Sequence, residues 1–365
     1  MRFLLKFYLP LALLIFYGTA FVETESRYFP LWQKEKPNIT DLALIYQGGS
    51  QRPQWTPDRF APYVSYRDPR SGKEHWLFDG FLFIEFQDGK RNMFEPIPNL
   101  NPARKEHWLG LLDKNFAEND GIPNLENVCQ QTAARIGPPL RRRQILISLP
   151  TPIIGQTNWG ELNGRILDFR QTTDRLAALD WYMDLALKKW KALAPTQLDL
   201  AGFYWVHESA PTTNDFLTAI SKSVHARSKL FFWIPYWHWN KLPANWRSFG
   251  FDVAWQQPNH FFHPEVADTR LDDACHFARQ HGMGMEMEFD GRMISDSKNY
   301  ERRFDTYLDA FTRNEVKDSS SIAYYEGGGC LFLLANSKEL AVRAHYDRLA
   351  HFILDRQTLA DKKAK

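Results

Sequence analysis

Cysteine is scarce. The 365 residues hold only Cys129, Cys275 and Cys330, with no C-x-x-C pair, which excludes a disulfide-stapled scaffold and a thiolate zinc site. An excess of charge of either sign is missing too: Lys+Arg number 45 against 43 Asp+Glu, a net of +2. Nucleic-acid binders carry a basic surplus or stripe; here the densest basic run is Arg141-Arg142-Arg143, expected to be a solvated segment. No internal apolar run approaches the roughly 18 residues of a spanning helix. No H-E-x-x-H or comparable spacing occurs, so neither a metal nor a cofactor is expected. What is abundant is aromatic: 27 Phe, 14 Tyr and 13 Trp. Such rings fill large cores and also serve as flat platforms for ligands such as sugar rings.

Arg2 and Lys6 precede an apolar run, Phe7 to Tyr17, and then Gly18-Thr19-Ala20. This is the pattern of a secretory signal peptide, with an uncleaved signal anchor as the lesser alternative. The expected division is a signal peptide at 1–20, a mobile segment at 21–40, one barrel domain at 41–356 and a charged tail at 357–365, in an exported protein. Cys129 falls in the series Leu125, Val128, Cys129, Thr132, Ile136, and Cys275 in Leu271, Ala274, Cys275, Ala278. Helical spacing of this kind predicts buried thiols rather than nucleophiles.

From residue 41 onward, strand-like runs alternate with amphipathic helical ones. The strands are expected at Leu42–Tyr46, Phe78–Phe86, Ile145–Leu149, Leu200–His207, Leu230–Trp237, Asp252–Gln256, Met283–Phe289 and Ile322–Tyr325. Helices are expected at Pro102–Phe116, capped by Asn101, then Leu125–Ile136, Asp174–Leu193, Asn214–Val224, Glu265–Arg279, Tyr300–Arg313 and Lys338–Leu354. This alternation predicts parallel strands joined by right-handed crossovers, and eight units point to an α/β, TIM-type (β/α)8 barrel in a single domain. Two connections are irregular: Ser50–Glu74 shows no convincing helix, and Asn240–Gly250 allows only a short one. A doubly wound open sheet is the alternative.

In a barrel, chemistry sits at the C-terminal ends of the strands. The fourth strand ends Tyr204-Trp205-Val206-His207-Glu208. The seventh runs from Gly282 to Asp290, and its alternation puts Glu286, Glu288 and Asp290 on one face opposite Met283, Met285 and Met287. Carboxylates stacked inside a barrel repel one another and are poorly hydrated, which raises at least one pKa and makes a proton donor near neutral pH. The alternatives are a satisfied ion-pair network with arginines such as Arg175 or Arg292, and a metal site at His207. Other strand ends suit a ligand with apolar faces and hydroxyl edges: Trp233, Tyr236, Trp237 and Trp239 after strand five, Gln257 and Asn259 after strand six, Tyr325 on strand eight, and Glu85 on strand two. Asp79 is expected to be structural.

Carboxylates at the ends of strands four and seven resemble the arrangement of the largest group of retaining barrel glycosidases. That resemblance implies Glu208 as acid/base and Glu288 as nucleophile, with Glu286 its substitute, the two acids standing about 5–5.5 Å apart. One departure is His207, where that group carries Asn against the sugar. A second resemblance covers Leu42 to Ile353. The strings Trp76-Leu77-Phe78-Asp79-Gly80-Phe81-Leu82-Phe83, Pro150-Thr151-Pro152, Gly202-Phe203-Tyr204-Trp205, Trp233-Ile234-Pro235-Tyr236, Gln257-Pro258-Asn259 and Glu286-Met287-Glu288-Phe289-Asp290 resemble those of a bacterial family, domain of unknown function DUF4855. It implies a glycosidase-like barrel in secreted, polysaccharide-related contexts, without an established activity. The expectation is therefore an exported glycoside hydrolase with a carbohydrate partner, without nucleic acid or stable membrane insertion. Its alternative is a non-catalytic carbohydrate-binding or envelope protein on the same scaffold.

Overall fold

The structure is a computed structural model that describes residues 26–364, apart from 34–36, 50–51, 99, 210–214 and 238–241. The expected signal peptide and Trp239 lie outside the described residues. Eight parallel strands close into a barrel: β1 (Asp41–Tyr46), β2 (Gly80–Ile84), β3 (Arg143–Leu149), β4 (Leu198–Trp205), β5 (Leu230–Trp233), β6 (Val253–Gln256), β7 (Gly284–Glu288) and β8 (Ile322–Tyr325). Each pairs with its sequence neighbours, and β1 pairs with both β2 and β8. The open-sheet alternative is thereby excluded. The outer layer comprises α1 (Pro57–Val64), α2 (Lys105–Asn115), α3 (Ile122–Ile136), α4 (Thr172–Leu193), α5 (Asp215–Ala226), α6 (Thr269–His281), α7 (Ser297–Arg313) and α8 (Leu340–Ala364).

Several boundaries differ from the sequence expectation for physical reasons. Helix α1 lies in the stretch expected to lack one. It is eight residues long, with Pro57 at its start and Pro62 inside, a composition that hides a helix even though proline suits the first turn. Phe60, Tyr63 and Val64 nevertheless bury its inner face. Asn101 does not cap α2; it pairs with Asn92 in a two-stranded ribbon, and His107 Nδ1 accepts the Arg104 amide instead, at 2.9 Å. The β5–β6 connection is a 3-10 helix, Leu242–Phe249. Of the segment expected to be mobile, Tyr28, Phe29 and Leu31 are buried, and the Phe29 amide donates to Met283 O at 2.9 Å. The charged tail continues α8 to Ala364. Cys129, Cys275 and Cys330 are buried free thiols.

The N-terminal end of the barrel is closed by charge. Asp41, first in β1, accepts Arg356 Nε of α8 at 2.6 Å, the Tyr324 hydroxyl of β8 at 2.7 Å and Gln357 Nε2 at 2.8 Å. The same guanidinium donates to the Thr40 and Ser320 carbonyls, both at 2.8 Å. Asp79 accepts the Thr40 and Asp41 amides at 3.0 and 2.9 Å and Arg141 Nη2 at 3.1 Å, so it is structural as expected. Arg356 and Asp41 are both fully buried, and removing one partner of such a pair strands the other charge. Arg356→Met is therefore expected to lower unfolding free energy by about 3–5 kcal/mol, measured by urea denaturation; a loss below about 1 kcal/mol would contradict this role.

Candidate active site

The mouth is built by alternation. Leu44 and Tyr46 of β1, Ile84 of β2, Tyr204 of β4, Ile234 after β5 and Glu286 of β7 all line one cavity of about 250 Å³ at the C-terminal end of the barrel. Glycine at 284 makes this geometry possible. A Cβ there would stand 2.3 Å from Trp255 Cδ1, so only glycine lets the Trp255 ring pack one layer beneath Glu286. Glu208, Tyr236, Gln257, Asn259 and Tyr325 complete the wall, with Arg52, Phe86 and Phe262.

Two carboxylates in this cavity have no cation paired to them among the described residues. Burial pushes the Glu208 carboxyl up to about 8, with the negative charges of Glu95 and Glu288 adding to the rise. Burial raises Glu286 well above the ordinary range, reinforced by Glu288 and Glu208. Glu286 Oε2 is buried with no hydrogen-bond partner among the described residues. Leaving such an atom unsatisfied costs about 1–3 kcal/mol, a cost that a purely structural network would avoid.

Glu288, two residues on, does not line the cavity. Its carboxylate accepts the Asn259 amide at 3.2 Å, the His260 amide at 2.9 Å and the Tyr307 hydroxyl of α7. Burial still raises its pKa, but these donors oppose the rise. Glu288 thus fixes the β6 loop against α7, and its substitute Glu286 takes the position facing the mouth.

Of the other expected contacts, Tyr204, Tyr236, Gln257, Asn259 and Tyr325 reach the cavity and five do not. Trp233 is core, stacked on Phe251 with ring centroids 5.0 Å apart. Trp237 packs edge-on against Phe277 of α6 under Arg270. Asp290 pairs with Arg292 at 2.9 Å, the satisfied arrangement named above as an alternative for these acids. Glu85 binds Arg52 Nε at 2.8 Å and the Gly49 amide at 3.0 Å, so it acts on the cavity by positioning Arg52, whose guanidinium lies over the Tyr46 ring. His207 is half-buried, its pKa lowered by burial, and its carbonyl accepts Trp233 Nε1 at 3.0 Å.

Sequence reasoning missed Tyr46, Arg52, Phe86, Phe262 and Glu95. Tyr46 ends the first expected strand and was findable by the strand-end rule. Glu95 lies in the aperiodic run Glu95-Pro96-Ile97-Pro98, where nothing local marks it; burial pushes it up to about 7.

A carboxyl whose folded pKa lies above its unfolded value holds its proton more tightly in the folded state. Its stabilising contribution is complete below the unfolded value of 4.5 and is lost as pH rises toward about 8. Glu208→Gln and Glu286→Gln are therefore expected to be more stable than the parent at pH 8, by on the order of 1 kcal/mol or more, with the gain vanishing near pH 4.5. Thermal unfolding across that range checks it; destabilisation at pH 8 would contradict the unpaired setting of the two acids.

No curated protein matches the chain by sequence. Among solved structures it is similar to a putative alpha-L-fucosidase from Bacteroides thetaiotaomicron, at 13% identity and TM-score 0.44, over 85% of this chain and 92% of that one. It is also similar to a mutant tryptophan synthase alpha-subunit from Pyrococcus furiosus, at 7% identity and TM-score 0.39, over 86% of this chain and 97% of that one. Likeness this distant says nothing about chemistry. The model of the family described as Domain of unknown function (DUF4855) matches residues 41–351, and the chain belongs to that family.

Proposed function

We propose that the protein is an exported glycoside hydrolase, acting without a cofactor on a carbohydrate through Glu208 and Glu286. One observation carries this reading: Glu208, just after β4, and Glu286, within β7, share a single cavity and pair with no cation among the described residues, while Glu85, Glu288 and Asp290 are satisfied. The wall around them mixes flat rings (Tyr46, Tyr204, Tyr236, Phe262, Tyr325) with the amides of Gln257 and Asn259. Rings match the apolar faces of a sugar and amides match its hydroxyl edges. A volume near 250 Å³ falls below the usual range for drug-sized ligands, about 300–1,000 Å³, which favours one sugar unit at a chain end.

The raised pKa of Glu208 keeps it protonated at neutral pH, the state a general acid needs. As the bond between the anomeric carbon and the glycosidic oxygen breaks, Glu208 gives its proton to that oxygen. A Glu286 carboxylate oxygen then bonds the anomeric carbon. Water subsequently attacks that carbon, Glu208 takes the water's proton, and the bond to Glu286 breaks, so configuration is retained. Glu286 reacts as the carboxylate, so the productive state of the pair carries one proton, on Glu208, and the burial that raises Glu286 is relieved as its charge meets the oxocarbenium-like centre that develops against it. Gln257, whose Oε1 is buried without a partner among the described residues, is placed to accept from a sugar hydroxyl. Export rests on the first twenty residues alone. Among the described residues no helix is long and apolar enough to cross a membrane.

The test is reducing-end release from a panel of bacterial and plant polysaccharides. Glu208→Ala and Glu286→Ala are each expected to lose about 10²–10⁴-fold in rate with circular dichroism unchanged. The pH profile of kcat/KM is expected to be a narrow bell. Activity falls as pH rises through about 8, where Glu208 loses its proton, and the acidic limb lies above the ordinary 4.5 because Glu286 is raised. Glu95→Gln removes a negative charge that raises Glu208, so the basic limb moves to lower pH. Survival of activity in both alanine variants would reject the assignment, and an inactive parent across the panel would favour the binding reading.

A further inference from the structure

The Arg141-Arg142-Arg143 run, expected to be solvated, is not. Arg142 stays at the surface with Asp199 at 3.1 Å, but the Arg141 side chain is only 16% exposed and Arg143 is 4% exposed. Both arginines line a cavity of about 220 Å³ at the N-terminal end of the barrel, opposite the mouth, with His75, Trp76, Thr358 and Asp361.

We propose that this cavity binds a compact oxyanion, a phosphate or carboxylate group carried by a small molecule, between the guanidinium groups of Arg143 and Arg141. A guanidinium cannot shed its proton in a protein, and burying its charge demands a counter-charge or full hydrogen bonding. Arg143 makes no ion pair among the described residues, and the charges of Asp79 and Asp361 reach it only through space. It lies over the Trp76 ring at 4.8 Å and donates from Nη1 to the Arg141 carbonyl at 3.4 Å. Its Nε is buried without an acceptor. Arg141 spends Nη2 on Asp79 at 3.1 Å, while its Nη1 is likewise buried without an acceptor. Two guanidinium groups therefore each keep a donor that carboxylate or phosphate geometry satisfies.

The other titratable groups leave room for an anion. Burial lowers the His75 pKa, so the ring is neutral at pH 7. Asp361, the carboxylate among the lining residues, sits at the rim with its side chain 36% exposed and 3.7 Å from Arg141. Asp79 is occupied by Arg141 and by the amides of Thr40 and Asp41. The site lies at the end of the barrel opposite Glu208 and Glu286, so its failure and that of the proposed hydrolase activity are separately visible.

The test is thermal unfolding of the full chain titrated with inorganic phosphate, glucuronate or glucose, with sodium chloride holding ionic strength constant. A saturable rise in Tm is expected with phosphate, glucuronate or both, and none with glucose; the stronger of the two names the group the site takes. Arg143→Met is expected to weaken that response at least tenfold. Should that variant not fold, Thr358→Glu, which places a carboxylate at the exposed rim, is expected to abolish the response with circular dichroism unchanged. No saturable shift from either anion, or an undiminished shift in Thr358→Glu, overturns the proposal.

Discussion

The buried pair of Asp41 and Arg356 is the contact on which the barrel's closure turns. Asp41 opens β1, the strand that must pair with both β2 and β8 for the sheet to become a barrel. Arg356, from the last helix, ties that strand end to the Thr40 and Ser320 carbonyls on either side of the seam. The mouth depends on this closure because its wall draws residues from β1, β2, β4 and β7 together. At the closed end, the aspartates of β1 and of the turn into β2 each meet a guanidinium. At the open end, Glu208 and Glu286 meet none among the described residues.

That contrast within one barrel separates acids held by partners from acids left without one among the described residues. Glu288 and Glu286 differ by two residues and share a strand, yet Glu288 collects two backbone amides and a phenol while Glu286 Oε2 has no partner among the described residues. Hydrogen-bond donors oppose the rise in the pKa of the first, and their absence leaves the second raised by burial and like charge. A desolvated carboxyl with no partner costs stability, and such a cost is characteristic of sites kept for reactivity. Glu85 shows the opposite case: an inward acid at the mouth, satisfied by Arg52 and a backbone amide, which shapes the cavity without lining it.

The barrel was legible because strand and helix periods alternate cleanly from Leu42 onward, and the buried cysteines because their helical spacing is unbroken. Glu208 and the acids of β7 were legible as strand-end carboxylates. The choice between Glu286 and Glu288 was not, since alternation gives both the same face and only the β6 loop and α7 decide which is caged. Trp233 and Trp237 followed a mouth strand yet turned into the core and onto α6, because residue order fixes neither where a strand ends nor which way the chain leaves it. Helix α1 escaped notice through its two prolines, and Glu95 through the aperiodic loop that holds it. Three adjacent arginines looked like a solvated surface because charge alone does not show that α8 and the Trp76 ring cover two of them.

The most direct test of the account is to trap the glycosyl-enzyme. The protein would be incubated with a panel of activated 2-deoxy-2-fluoro glycosides, digested, and the modified residue located by tandem mass spectrometry within the peptide that holds both Glu286 and Glu288. The account predicts a covalent sugar on Glu286, and no trapped sugar in Glu286→Ala. A sugar carried by Glu288, or by Glu208, would contradict it.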